Sequence, residues 1–130
     1  MQRIKILVVE DSPLAMASIE HLMKKIGYKF DYVNNAEDAL LLHYEDQYDL
    51  IFNDICLPKM NGLTMAEKIR QFERKYCLNR AKIVALTSYD IESIQAEILS
   101  IGINASLNKP ISTLCMLNVI ESCEESLLGA

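Results

Sequence analysis

The sequence predicts a doubly wound α/β fold, in which helices cover both faces of a five-stranded parallel sheet. Short apolar runs alternate along the chain with longer amphipathic stretches, so that each predicted strand is followed by a helix. The runs are too continuously apolar for a sheet with one face in water, which favours parallel strands covered on both sides. Right-handed crossovers connect strands of this kind. The predicted strands are Ile4–Val9, Lys29–Val33, Leu50–Asn53, Lys82–Leu86 and Ala105–Leu107.

The predicted helices begin and end at recognisable residues. Ser12 is suited to cap the first helix and Pro13 to occupy its first turn, where a missing N–H does no harm. Gly27 is expected to end this helix. The later helices are expected to start near Asn35, Gly62, Asp90 and Ser112, with Gly102 ending the fourth. The residues predicted to face inward are Ala15, Ile19, Leu22, Met23 and Ile26 in helix one, Met65, Ile69 and Phe72 in helix three, Ile94, Ile98 and Ile101 in helix four, and Leu114, Leu117 and Ile120 in helix five.

Composition limits the classes of function. The 130 residues, 51% of them hydrophobic, fit one domain, which we expect to span residues 1–130 with a core at about 4–126. A net charge of -5 argues against direct nucleic-acid binding. No apolar stretch approaches the ~20 residues of a membrane span, and the N-terminus lacks a signal-peptide layout. The four cysteines show no CxxC pairing and are expected to be thiols in a reducing compartment. We therefore expect a cytoplasmic domain without membrane contact.

Polar residues follow four of the predicted strands. Glu10 and Asp11 follow strand one, Asp54 follows strand three, Thr87 strand four and Lys109 strand five. In doubly wound sheets, ligands bind beyond the carboxyl ends of the strands, where the strand order reverses. In the order 2-1-3-4-5, strands one and three are neighbours only ~4.8 Å apart. Three carboxylates at that separation repel one another unless a cation lies between them, and hard oxygen ligands with room for water suit Mg²⁺.

Four segments carry a resemblance to a known family: Val8–Ser12, Asn53–Gly62, Leu86–Ser88 and Asn108–Pro110. Each is weak alone, but all four in this order and at these spacings are specific. Over residues 4–126 the chain resembles the receiver domain of two-component response regulators, which has the flavodoxin-like strand order 2-1-3-4-5. It is most similar to receivers of hybrid sensor histidine kinases, on Asn61–Leu63, Ile69-Arg70, Ile83–Thr87, Gly102–Asn104 and Lys109–Ile111.

The resemblance implies that Asp54 is the phosphoacceptor of a phosphorelay. It also implies that Glu10 and Asp11 hold Mg²⁺, with Asp54 itself and the backbone carbonyl of Cys56 as further ligands. The donor would be a phosphohistidine on a sensor histidine kinase or a histidine phosphotransfer domain. Such a domain catalyses only its own phosphorylation and dephosphorylation, without turning over a separate substrate. The usual dimer faces of the family are helices four and five, and the sequence leaves a homodimer open.

A cation and a hydroxyl complete the implied switch. Lys109 would screen the repulsion between carboxylate and phosphoryl donor, with Pro110 fixing the turn that presents it. Thr87 would bond a phosphoryl oxygen and change the face built by helix four, strand five and helix five. Ser106 stands where many relatives carry a Tyr or Phe that moves with the threonine, so the aromatic half of the switch is in doubt here. Tyr89 is a weak candidate to replace it.

Ordinary structural roles stay open for several of these residues. Asp11 with Ser12 would also suit a helix cap, Lys109 with Pro110 an exposed turn, and Thr87 a strand-end hydroxyl bonded to backbone. His21 and His43 are expected to be in solvent. The basic run Arg70, Arg74, Lys75, Arg80 and Lys82 is more typical of a solvated helix face than of a docking patch.

Three other classes of protein share parts of this pattern. Phosphatases similar to haloacid dehalogenases also use an Asp at a strand end with Mg²⁺, but they carry a second acid two residues later, where this chain has Cys56. A pseudo-receiver that acts only as an interaction module usually lacks one of the acids or the lysine, and this chain keeps them all. A flavodoxin-type cofactor binder shares the fold, but the loop after strand one lacks a phosphate cradle rich in Ser, Thr and Gly.

Overall fold

The computed structural model describes residues 2–55, 60–88 and 91–129. In this part of the chain, a parallel sheet has the predicted strand order β2-β1-β3-β4-β5. The strands are β1 (Ile6–Val9), β2 (Asp31–Val33), β3 (Leu50–Asp54), β4 (Lys82–Thr87) and β5 (Ala105–Asn108). The helices are α1 (Pro13–Ile26), α2 (Ala36–Asp46), α3 (Gly62–Lys75), α4 (Ile91–Ile101) and α5 (Thr113–Gly129).

Two hydrophobic layers hold the helices against the sheet. On one face, α1 and α5 pack against the central strands, with Met23 of α1 and Phe52 of β3 among the buried residues. On the other face, α2, α3 and α4 pack through residues such as Leu40 and Ile69, and here Ile51 is the contribution of β3. Because successive strand residues point to opposite faces, one continuous apolar run supplies both layers.

The helix boundaries follow from local hydrogen bonds. The Ser12 side chain accepts from the N–H of Ala15 at 3.2 Å, as predicted, and Gly27 ends α1 with a φ of 86°. The caps of α2, α3 and α5 are Asn35, Asn61 and Ser112, whose side chains accept from the N–H of Asp38, Thr64 and Cys115. Gly102 follows α4 with a φ of 98°. Asp90, the predicted start of the fourth helix, lies outside the described residues.

The inward faces of two helices differ from prediction. In α1, Met16 is buried, whereas Ala15 at the adjacent position is only partly covered. In α5, the prediction that Leu114 faces the core is wrong, because 66% of its surface is exposed. Leu114 lies in the first turn of α5, before the part of the helix that meets the sheet through Met116 and Ile120. No helix in the described ranges is long and apolar enough to span a membrane.

A buried ionic network lies where β4 and β5 begin. Arg70 donates from Nη1 to Glu73 at 2.7 Å, from Nε to the Gly102 carbonyl at 3.0 Å and from Nη2 to Asn104 at 2.9 Å. The second carboxylate oxygen of Glu73 accepts from the N–H of Ala81 at 2.7 Å. The expectation of a solvated Arg70 is therefore wrong, because the loops before β4 and β5 cover it with their own polar groups.

His43 of α2 is also buried, contrary to the expectation that it is solvated. Its Nδ1 accepts from the N–H of Tyr48 at 3.0 Å, and its ring lies near Tyr48 and Phe72. Burial lowers the pKa of His43, Glu73 opposes this effect and Arg70 adds to it. His21, in contrast, is exposed on α1 as expected.

Candidate functional site

Three carboxylates converge at the carboxyl ends of β1 and β3. The register pairs Val9 with Asn53, so the residues that follow them emerge side by side. Carboxylate oxygens of Glu10, Asp11 and Asp54 all lie within 4.8 Å of one another. Glu10 and Asp54 are buried, whereas Asp11 is exposed at the rim. The predicted convergence of the three acids is thus found in the structure.

Lys109 reaches into this acidic cluster from the end of β5. Its Nζ lies 2.6 Å from Oε1 of Glu10 and 3.2 Å from Oδ2 of Asp54. Its backbone N–H donates to the carbonyl of Thr87 at 2.8 Å, which fixes the loop after β5 to the end of β4. The following peptide bond, Lys109-Pro110, is cis. The lysine is therefore held against the acids and is not an exposed turn residue.

The pKa values of this cluster reflect burial and mutual charge. Burial raises the pKa of Glu10; the contact with Lys109 opposes this, and the neighbouring Asp54 raises it further. For Lys109, burial lowers the pKa, but the contacts with Glu10 and Asp54 outweigh burial and raise it overall. The charged form of Glu10 is thus stabilised by Lys109, and the charged form of Lys109 by Glu10 and Asp54.

The donor set suits a hard divalent cation. Among the described residues of the cluster, three carboxylates face one ammonium group, which leaves excess negative charge in a mostly buried place. Carboxylate oxygens are the ligands that Mg²⁺ prefers, and exposed Asp11 leaves an open side for water. Glu10, Asp11 and Asp54 therefore fit Mg²⁺. Cys56, the fourth predicted ligand, lies outside the described residues.

Thr87 ends β4 beside this cluster. It is buried, and the residue before it, Leu86, pairs with Asp54 across the sheet. Ser106 is half-buried in β5. Tyr89, the weak candidate for the missing aromatic switch, lies outside the described residues. Thr87 thus occupies the predicted strand end.

Asn53 and Gly62 position the loop after Asp54, a role that the sequence did not reveal. The Asn53 side chain is fully buried and donates to the Gly62 carbonyl at 2.9 Å. A Cβ atom on Gly62 would lie 2.5 Å from the Asp54 carbonyl oxygen, closer than atoms can approach. Only glycine lets α3 begin directly against the backbone of the acid. The one available signal was a glycine at the predicted start of the third helix.

A mostly apolar groove of about 820 Å³ adjoins the acidic cluster. It runs between α1 and the loop after β5, with Glu10 and Lys109 at one end. Leu14, whose side chain is 80% exposed, and Ile111 belong to its walls. The acidic cluster is therefore continuous with a surface that can accept an apolar partner.

The chain belongs to the response regulator receiver domain family, because the model of that family matches residues 6–121. Receiver domains are signalling domains. This assignment supports the receiver prediction over the phosphatase and flavodoxin-type alternatives, and the observed fold is the one expected for the family.

Individual relatives agree with the family assignment. The chain is 31% identical over 120 residues to Hybrid signal transduction histidine kinase L of Dictyostelium discoideum, covering 90% of this chain but only 7% of that kinase. It also resembles a structure of the Saccharomyces cerevisiae phosphotransfer protein Ypd1 with the Ssk1 receiver domain, with a TM-score of 0.82, 28% identity and coverage of 90% and 86%. The magnesium-bound receiver of sensor histidine kinase PA1611 from Pseudomonas aeruginosa gives a TM-score of 0.80, 28% identity and coverage of 92% and 95%.

Proposed function

We propose that Asp54 accepts a phosphoryl group from a phosphohistidine and that the chain acts as a phosphorelay receiver. The observation that carries the proposal is the position of Asp54, whose carboxylate lies in a cluster with Glu10 and Asp11 and 3.2 Å from Nζ of Lys109. A carboxylate is a poor nucleophile toward an anionic donor, so the reaction needs positive charge placed in advance at the same point.

Lys109 supplies one such charge. Its ammonium group already lies between Glu10 and Asp54, so little reorganisation is needed when a phosphoryl group arrives. Glu10 holds the lysine in place, because its side chain is fully buried and its other oxygen accepts from the N–H of Ser12 at 3.2 Å. Thr87 would bond a phosphoryl oxygen and draw its loop inward.

Mg²⁺ completes the proposed site. Glu10, Asp11 and Asp54 would hold it, together with the carbonyl of Cys56. When bound, the ion neutralises charge on the phosphoryl oxygens during transfer. The magnesium-bound PA1611 receiver, 28% identical to this chain, supports this part of the proposal.

We propose a change at α4, β5 and α5 as the output of phosphorylation. Lys109 and Thr87 are joined through their backbones at 2.8 Å, so a shift at one is transmitted to the start of the loop that leads to α5. Ser106 cannot fill or vacate an aromatic-sized space, so this output would rest on the threonine and lysine loops alone. The same face would serve any homodimer.

The proposed donor is a sensor histidine kinase or a histidine phosphotransfer domain. Its histidine-bearing helix would lie in the groove beside α1, where exposed Leu14 offers an apolar contact next to the acidic cluster. The Ypd1–Ssk1 complex among the similar structures supports a partner of this class. Because such donors are charged from ATP, we place the function in the cytoplasm, with residues 1–130 as one domain that catalyses only its own phosphorylation and dephosphorylation.

Intact mass spectrometry after incubation with a small-molecule phosphodonor tests the function. With Mg²⁺ we expect the gain of one phosphoryl group, and we expect none after EDTA treatment or in Asp54→Asn, because the first removes the cation and the second the nucleophile. Normal labelling of Asp54→Asn would remove Asp54 from the role. No labelling despite separately measured Mg²⁺ binding would favour an interaction-only module.

The substitution Lys109→Ala distinguishes the role of the lysine in phosphorylation from the binding of Mg²⁺. A cation is not a metal ligand, so we expect phosphorylation and the switch to weaken by about 10²-fold while Mg²⁺ affinity changes much less. Stopped-flow labelling rates and a Mg²⁺ titration give the two quantities. A large loss of Mg²⁺ affinity with unchanged phosphorylation would contradict the proposed role.

A further inference from the structure

A concavity of about 320 Å³ opens at the edge of the molecule opposite the acidic cluster. It lies beside the C-terminal end of α3 and the loop that leads to β4. Three arginines line it, together with one carboxylate and two further residues; the full lining is Arg70, Glu73, Arg74, Cys77, Leu78 and Arg80. In a chain with a net charge of -5, this is a local excess of positive charge.

The three arginines are in different states. Arg70 is buried and already bonded to Glu73, Gly102 and Asn104. Arg74 and Arg80 are exposed, and their guanidinium groups form no hydrogen bond or ion pair within the part of the chain that is described. Two planar donors are therefore available to a ligand, with a fixed cation behind them.

The guanidinium groups are crowded. Nη2 of Arg80 and Nε of Arg70 lie 3.2 Å and 3.3 Å from where a Cβ atom of Gly102 would be, so both rest against the same glycine. Arg74 follows Arg70 by one helical turn, a spacing at which like charges repel. Both exposed arginines lower the pKa of Arg70, after burial as the main cause and against the effect of Glu73. An anion in the concavity would relieve this repulsion.

We propose that this arginine concavity, formed by Arg70, Arg74 and Arg80, binds a small ligand through a phosphate group. After Glu73 is counted against the three arginines, two positive charges remain, and a phosphate group carries about -1.5 to -2 at neutral pH. Guanidinium forks bind phosphate oxygens in pairs. The volume of about 320 Å³ is at the lower end of the range for ligand pockets, which favours a small anionic ligand over the side of a protein helix.

An NMR titration with inorganic pyrophosphate tests the site. The full chain is used without Mg²⁺ or a phosphodonor, so the result is independent of the phosphoacceptor function. We expect saturable shifts of the Cys77, Leu78 and Arg80 amides. Each of Arg74→Gln and Arg80→Gln should raise the dissociation constant about tenfold, because each removes one charged donor.

Arg3→Gln is the matched control, since Arg3 is an exposed arginine on a surface lined by Glu121 and Glu124. It should leave the dissociation constant unchanged, and thermal melting should show all three variants folded. Shifts that do not saturate, or equal weakening in Arg3→Gln, would overturn the proposal. A hexaglutamate peptide that binds more tightly than pyrophosphate would also overturn it in favour of an acidic protein segment.

Discussion

Each end of the sheet brings a cation against carboxylate groups, buried Arg70 at one end and half-buried Lys109 at the other, and the two ends differ in their balance of charge. At the beginning of β4 and β5, Arg70 contacts one acid, Glu73. Both side chains also form hydrogen bonds with neighbouring loop residues. At the carboxyl ends, Lys109 meets Glu10 and Asp54, with Asp11 close by. The Arg70–Glu73 pair is neutral by itself, whereas the carboxylates around Lys109 keep excess negative charge.

This difference separates a structural ion pair from a reactive one. In a neutral pair with all donors matched, removing one partner leaves an isolated buried charge. An unbalanced cluster gains stability from any cation that enters it. The balance of charge, more than burial, therefore distinguishes the acidic cluster, where we propose that phosphoryl transfer occurs.

Breaking the balanced pair should have the largest effect on stability. Glu73→Leu leaves the Arg70 charge, only 3% exposed, without its acid and the Ala81 N–H without its acceptor. We expect a loss of about 3–5 kcal/mol in the free energy of unfolding, measured in urea. Exposed Glu67 on the same helix is the control, and Glu67→Leu should change stability by less than about 0.5 kcal/mol. Equal effects of the two substitutions would show that the network carries little stability.

The acidic cluster should instead respond to Mg²⁺. At one hundred times its dissociation constant, Mg²⁺ should stabilise the protein by about 2.7 kcal/mol, because it binds only the folded state. Without Mg²⁺, Asp54→Asn should be more stable than the original protein, since it removes one of the crowded charges. In thermal melting, Asp54→Asn should lose most of the stabilisation by Mg²⁺. The control Glu67→Gln should keep it. A full gain in Asp54→Asn would place the ion elsewhere.

The pH dependence of stability provides the smallest effect. Burial lowers the pKa of His43 in the folded protein below its unfolded value of 6.5, so the unfolded chain binds the extra proton first. The contribution of neutral His43 to the free energy of unfolding is therefore fully present above pH 6.5. It falls as the pH drops below this value, by at most about 1.4 kcal/mol per pH unit. His43→Asn, which keeps an acceptor for the Tyr48 N–H, should flatten the curve between pH 6.5 and 5.

Exposed His21 supplies the control for this titration. His21→Asn should keep the same slope as the original protein, because the side chain remains in solvent. A slope that survives in His43→Asn would show that other groups, such as the carboxylates near Lys109, dominate this range.

The fold and the acidic cluster could be predicted because both leave signals in short stretches of sequence. Each strand run, each cap such as Ser12 or Asn35 and each strand-end acid can be recognised without knowing its neighbours in space. The burial of Arg70 and His43 could not be predicted, because it depends on contacts with residues that are distant in the sequence. Arg70 and Glu73 resemble an ordinary exposed pair at i, i+3 until Gly102 and Asn104 fold over them.

The central claim is that the phosphoryl group is carried by Asp54, and its position can be measured directly. Borohydride reduces an acyl phosphate to an alcohol, so treatment of the labelled protein followed by peptide mass spectrometry marks the residue that held the group. We predict that the peptide containing Asp54 carries homoserine at that position, and only after labelling with Mg²⁺ present. Homoserine at Asp11, or a stable phosphoryl group on any other residue with Asp54 unchanged, would contradict the claim.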